Sequence, residues 1–123
     1  MISYYFEEVE LRLKESSAVI ADKEIDFREF SSSEGTLRCR LLLVDGSILE
    51  FMEYLQGVAR LKYRFHLTDK RGEIRFRYDN APHHNISTFP HHKHTPDGIV
   101  EVSERSFLDA LDEVEMLVVD IGV

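Results

Sequence analysis

The sequence predicts an α+β domain: an N-terminal helix, an antiparallel meander of four to five strands, and a C-terminal helix packed on one face of the sheet. Three observations predict it. Apolar residues recur at helical spacing only near the two ends of the chain. Between Thr36 and Asp79 the apolar period drops to two, and Gly35, Gly46, Gly57 and Gly72 separate one alternating run from the next. A chain of 123 residues with 43% hydrophobic content is the size of one domain with a modest core, so residues 1–123 read as a single unit.

Taken in order, Ile2, Tyr5, Phe6, Val9, Leu13 and Ile20 form a helical stripe that predicts a helix over 2–21, with Ser3 near its start as a cap. "EIDFREF" sets Ile25 and Phe27 two apart, a short strand. "TLRCRLLLV" and "SILEFMEYL" flank Asp45-Gly46, a hairpin signal in which both turn positions take positive φ. "VARLKYRFHL" places Leu61, Tyr63, Phe65 and Leu67 on one face, with Arg60, Lys62, Arg64 and His66 on the other. "EIRFRYD" turns Ile74, Phe76 and Tyr78 inward, leaving Glu73, Arg75, Arg77 and Asp79 outward. A loop at 69–72 sets His66 across from Arg75 and Arg64 across from Arg77, with alternatives only in steps of two. After a histidine-rich loop, "GIVEVS" adds a brief strand. "SERSFLDALDEVEMLV" then predicts a helix capped by Ser103, burying Phe107, Leu111, Val114 and Val118.

No apolar run approaches the roughly 20 residues that span a bilayer; "LLLV" at 41–44 is the longest. The segment "MISYYFEEVE" is acidic where a signal peptide is basic, and Cys39, the single cysteine, forms no intramolecular disulfide. A cytoplasmic protein without membrane contact is expected. The net charge of −8 is uneven. Residues 1–35 carry nine acids and four bases, 36–94 ten bases and six acids, and 95–123 eight acids and one base. A polyanion is therefore expected to meet the middle of the chain.

Within that middle, Lys62, Arg64, Arg75 and Arg77 make a cationic outer face that Arg38 and Arg40 extend if their strand presents the same side. Opposed like charges on a sheet are unfavourable unless an anion lies between them, which points to phosphate. The competing explanation is the charged solvent face of any antiparallel sheet. Next to it lies "FRYDNAPHHNISTFPHHKHT", residues 76–95, which holds five of the six histidines; Pro82 and Pro90 each precede a histidine pair and restrict the backbone there.

Three chemistries fit this loop. Metal-independent RNA cleavage uses one imidazole to deprotonate the 2′-hydroxyl, another to protonate the departing 5′-oxygen, and a cation for the phosphorane. For it the candidates are His84 and His92, with His66 and His91 as substitutes, and Lys93 and Arg77 on the phosphate; Asp79 and Asn80 complete the substrate-binding set. No cofactor is needed. A weaker alternative is zinc or another divalent metal on His92 and His94, or His91 and His94, with Asp79 or His84; no cysteine pair or HExxH helix accompanies it. The third is a polar loop whose histidines bond carbonyls, in a binding module without turnover.

"YRFHL", "RGEIRFRYDNAPHH", "FPHHKH" and "VEVSERSFLDALDEV" together resemble the TumE family of bacterial and archaeal toxin–antitoxin proteins, over about residues 58–117. The resemblance implies a toxin neutralised by a cognate partner, a small helix-turn-helix antitoxin encoded beside it. It marks His66, Arg77, Asp79, Asn80, His83, His84, His91, His92 and His94. The cutting of RNA comes from the residues, not from the resemblance. Expected partners are RNA and the antitoxin, with a second copy of the chain as a further candidate.

Overall fold

The computed structural model describes residues 2–57, 59–80, 91–102, 104 and 106–121. Among these, helix α1 (Ile2–Glu15) leads into seven strands: β1 (Ile20–Glu29), β2 (Glu34–Leu43), β3 (Ile48–Gln56), β4 (Ala59–Thr68), β5 (Ile74–Asp79), β6 (His92–Thr95) and β7 (Gly98–Glu101). Helix α2 (Phe107–Ile121) closes the chain. The strands run in sequence order as one antiparallel sheet. The architecture is the expected one, with more strands than expected and a shorter first helix. Ile20 begins β1 instead of ending α1, because the chain turns at residues 16–19, where Ser16 and Val19 make turn hydrogen bonds.

Both helices cover the same side of the sheet. Ile2, Phe6, Val9 and Leu13 of α1 and Phe107, Ala110, Leu111, Val114 and Val118 of α2 bury against Leu37, Leu41, Phe51, Tyr63, Phe65, Leu67 and Phe76. Each such side chain contributes about 1.5–3 kcal/mol on burial. Gly35 was expected between strands but lies within β2, where α1 crosses closely: a Cβ there would stand 2.5 Å from the Arg28 carbonyl oxygen and 2.8 Å from Ile2 Cδ1. Arg12 ties the helices together through Asp112 at 2.8 Å and Glu115 at 3.1 Å.

Local departures from the expected alternation have physical causes. The β2–β3 turn puts only Gly46 at positive φ (86°). Gly46 N–H donates to the Leu43 carbonyl and Asp45 Oδ1 accepts from Ser47 N–H, so the extra loop residue relieves Asp45 of left-handed geometry. A bulge between β3 and β4 pairs Arg60 with Leu55 and leaves Leu61 as the unpaired residue. Leu61 is consequently 52% exposed, and Arg60 turns to the core side, its guanidinium 4.0 Å from the Tyr63 ring and bonded to buried Glu53 at 3.0 Å. The expected exchange of faces between these two is thus reversed. Helix α2 starts at Phe107; Ser106 caps it, its Oγ accepting from Asp109 N–H while Asp109 Oδ2 accepts from Ser106 N–H. Ser103, the expected cap, lies outside the described residues.

Candidate functional site

The face of the sheet opposite the helices carries the chemistry. The registers fix what lies on it. His66 pairs with Arg77 and Arg64 with Asp79, a shift of two from the register set by the 69–72 loop. Arg77 pairs with His94, and Asp79 with His92. Two rows therefore cross β4, β5 and β6 side by side: His66–Arg77–His94, and Arg64–Asp79–His92. Directly opposed side chains on neighbouring strands stand about 5 Å apart at Cβ, so His66 and His94 flank Arg77 on the sheet. Arg64 faces a carboxylate, which removes the like-charge conflict expected between arginines.

Asp79 is the hub. It is 3% exposed, with Oδ1 2.7 Å from His92 Nε2; Oδ2 accepts from Arg77 Nε at 3.0 Å and stands 3.8 Å from His94 Nε2. His92 is 1% exposed, and its ring meets His94 edge-on at 4.8 Å between centroids. The ligating atoms of Asp79, His92 and His94 all lie within 4.8 Å of one another, the trio that the sequence offered only as the weaker, metal-binding alternative. His66 is part-buried. Burial, then Arg77 and Arg64, push its imidazole below the ordinary value, with Glu50 across the strand opposing them.

Other sequence candidates sit elsewhere. Alternation along β6 sends Lys93 to the helix side, where its ammonium bonds Glu113 at 2.8 Å and lies 4.9 Å from the Tyr78 ring. His91 also packs on that side, its Nδ1 2.8 Å from the hydroxyl of fully buried Tyr63. Neither joins His92, because neighbours in a strand point to opposite faces. Arg75 bonds Asp45 at 3.0 Å and Ser47 at 2.8 Å, bracing the β2–β3 turn. Asn80 accepts from Tyr63 N–H through Oδ1 and donates to the Leu61 carbonyl through Nδ2; it extends the β4–β5 pairing instead of bonding its own backbone. His83 and His84 lie outside the described residues.

Arg38 and Arg40 share the helix-free face, lining a shallow hollow of about 280 Å³ with Arg64 and Met52. Register sets Arg38 against Asp26, and Arg40 between Glu24 and Glu50, so their charge is largely offset. Among the described residues, the cationic surface gathers at Lys62, Arg64 and Arg77. Glu101, which pairs with His92 from β7, was not singled out in the sequence; only recognition of β6 and β7 as paired strands could have found it.

The sequence model of the family described as Toxin TumE matches residues 9–120. The chain belongs to the TumE toxin family. The match reaches well beyond residues 58–117 and takes in the second half of α1 and the β1–β3 meander, which the motif resemblance left uncovered. No curated protein and no solved structure matches the chain. Membership supports a toxin role and implies an antitoxin partner. Among the described residues no helix is long and apolar enough to cross a membrane.

Proposed function

We propose that this TumE-family chain is a cytoplasmic toxin that cleaves single-stranded RNA on the helix-free face of its sheet. The observation that carries the reading is the row His66–Arg77–His94, a histidine on each side of an arginine across three adjacent strands. A phosphodiester seated on Arg77, with Arg64 and Lys62 holding neighbouring phosphates, presents its 2′-hydroxyl toward His66. His66, kept neutral by burial and by the two arginines, takes the 2′ proton as the 2′-oxygen attacks phosphorus. The P–O5′ bond then breaks, and the charge growing on the 5′-oxygen is met on the far side of Arg77 by the Asp79–His92–His94 cluster. That oxygen takes a proton from water and leaves as a hydroxyl, and the other product carries a 2′,3′-cyclic phosphate. Arg77, braced by Asp79, stabilises the extra charge on the non-bridging oxygens.

A small helix-turn-helix antitoxin would neutralise the toxin by meeting the outer faces of the helices. There exposed Glu7, Glu8, Glu10 and Asp112 interleave with exposed Tyr4, Leu11 and Met116, a surface suited to a basic partner with apolar anchors. The test of the chemistry uses purified protein and two oligonucleotides of one sequence, RNA and DNA. The RNA is expected to be cut to cyclic-phosphate and 5′-hydroxyl ends while the DNA, lacking the 2′-hydroxyl, stays whole. RNA left intact across pH 4–9 overturns the proposal.

A further inference from the structure

We infer that Asp79, His92 and His94 form a binding site for one divalent transition-metal ion of the zinc type, open to substrate on the side of Arg77. The inference rests on the RNA-cleavage reading only for the ion's use, not for its binding. The strand geometry builds the site. His92 and His94 are two apart in β6, so both imidazoles project to one face, and Asp79 is the direct cross-strand partner of His92. Three donor atoms on two rigid, hydrogen-bonded strands then converge within 4.8 Å. Ligands on a tetrahedral zinc stand about 3.3 Å apart. His92 Nε2 stands 2.7 Å from Asp79 Oδ1 and His94 Nε2 3.8 Å from Asp79 Oδ2, and the donor set spans no more than 4.8 Å. Side-chain movements of roughly 1–1.5 Å draw the three donors onto one ion.

The donor set selects the metal. Two imidazole nitrogens and one carboxylate suit zinc and its neighbours, whereas magnesium and calcium ask for oxygen throughout. Arg77 Nε, donating to Asp79 Oδ2, orients the carboxylate as outer partners of metal ligands commonly do. Three protein ligands leave a fourth position, the arrangement of catalytic rather than structural zinc. An ion there, beside Arg77, would draw the departing 5′-oxygen and stabilise its charge as the P–O5′ bond breaks; the oxygen then takes its proton from water.

The test uses the full chain purified without a histidine tag, stripped with a chelator and titrated with Zn²⁺ by calorimetry, then with Co²⁺ by visible absorption. One equivalent of Zn²⁺ is expected to bind and raise the melting temperature, and Co²⁺ to give the intense visible bands of a four-coordinate site. Asp79→Asn and His94→Ala should each weaken Zn²⁺ binding at least tenfold, while His91→Gln, on the helix side of the sheet, leaves it unchanged. His94 is part-exposed, so His94→Ala keeps the fold even if a change at buried His92 does not; circular dichroism checks this. Binding below one equivalent, or binding lost in His91→Gln but kept in His94→Ala, overturns the site. Zn²⁺ bound at these residues with RNA left whole sinks the RNA reading alone. RNA cleavage at an undiminished rate in the stripped protein removes the ion from the chemistry.

Discussion

Arg77 and Lys93 are both cations that the sequence offers for the phosphate, yet they end on opposite faces of one sheet. The period of two explains it. Arg64, His66 and Arg77 were legible because β4 and β5 alternate cleanly, so a register error of two residues changed their partners but not their side. Arg60 and Leu61 were not legible, because a single extra residue at the bulge exchanges inward and outward positions. In "HHKHT" the polar residues hide strand β6; once it is a strand, His92 and His94 share one face and His91 and Lys93 the other. Two expectations follow at this scale. His66 acts as a base while neutral, so activity should fall on the acid side with a limb below the ordinary histidine value of 6.5. Arg64→Gln removes one of the charges that hold it down and should move that limb to higher pH, read from kcat/KM against pH; a limb unmoved or moved lower contradicts the role. Lys93→Met should cost roughly 1–2 kcal/mol of stability through the lost Glu113 bond, with cleavage kept within about threefold, since Lys93 acts on the fold.

Between the elements, buried polar contacts dock the helices onto the sheet beside the apolar core. Tyr5 of α1 and Arg60 of β4 both bond Glu53, a fully buried carboxylate of β3. Burial and the Glu53 carboxylate push the Tyr5 phenol well above its ordinary range, so it stays a donor at every physiological pH. Glu53→Ala should destabilise the chain by about 3–5 kcal/mol, because it strands Arg60 and the Tyr5 hydroxyl without their acceptor; denaturant unfolding measures it, and a loss under 1 kcal/mol contradicts this view of the contact. Sequence reading could not pair these residues. Tyr5 lies 48 residues from Glu53, the bulge alone turns Arg60 inward, and "LEFMEYL" gives Glu53 the look of any strand glutamate. The meander itself was readable, since β2 to β5 each have their own alternation and their own turn residues.

Across the whole molecule, charge is sorted only partly by face. Glu7, Glu8, Glu10 and Glu15 of α1 and Asp109, Asp112, Glu113 and Glu115 of α2 sit on the helices, while Lys62, Arg64 and Arg77 gather on the other side of the sheet. The acidic total hides this, and the block pattern along the chain revealed it only in part: Arg38 and Arg40 belong to the basic block, yet strand pairing sets them against Asp26, Glu24 and Glu50. Three phosphate contacts to a single strand predict a log–log salt slope of about −2 for RNA binding. A slope near zero in a fluorescence titration would mean that RNA does not lie on this face. The row that passes from His66 through Arg77 to His94 is where the account is most exposed. Its direct measurement is the rate of RNA cleavage by His66→Ala and Arg77→Gln, each shown to be folded, beside the unchanged chain. Losses of about 10²-fold or more in both are expected for a proton-transfer group and a phosphate clamp; cleavage at the parent rate in either variant would place the chemistry somewhere else.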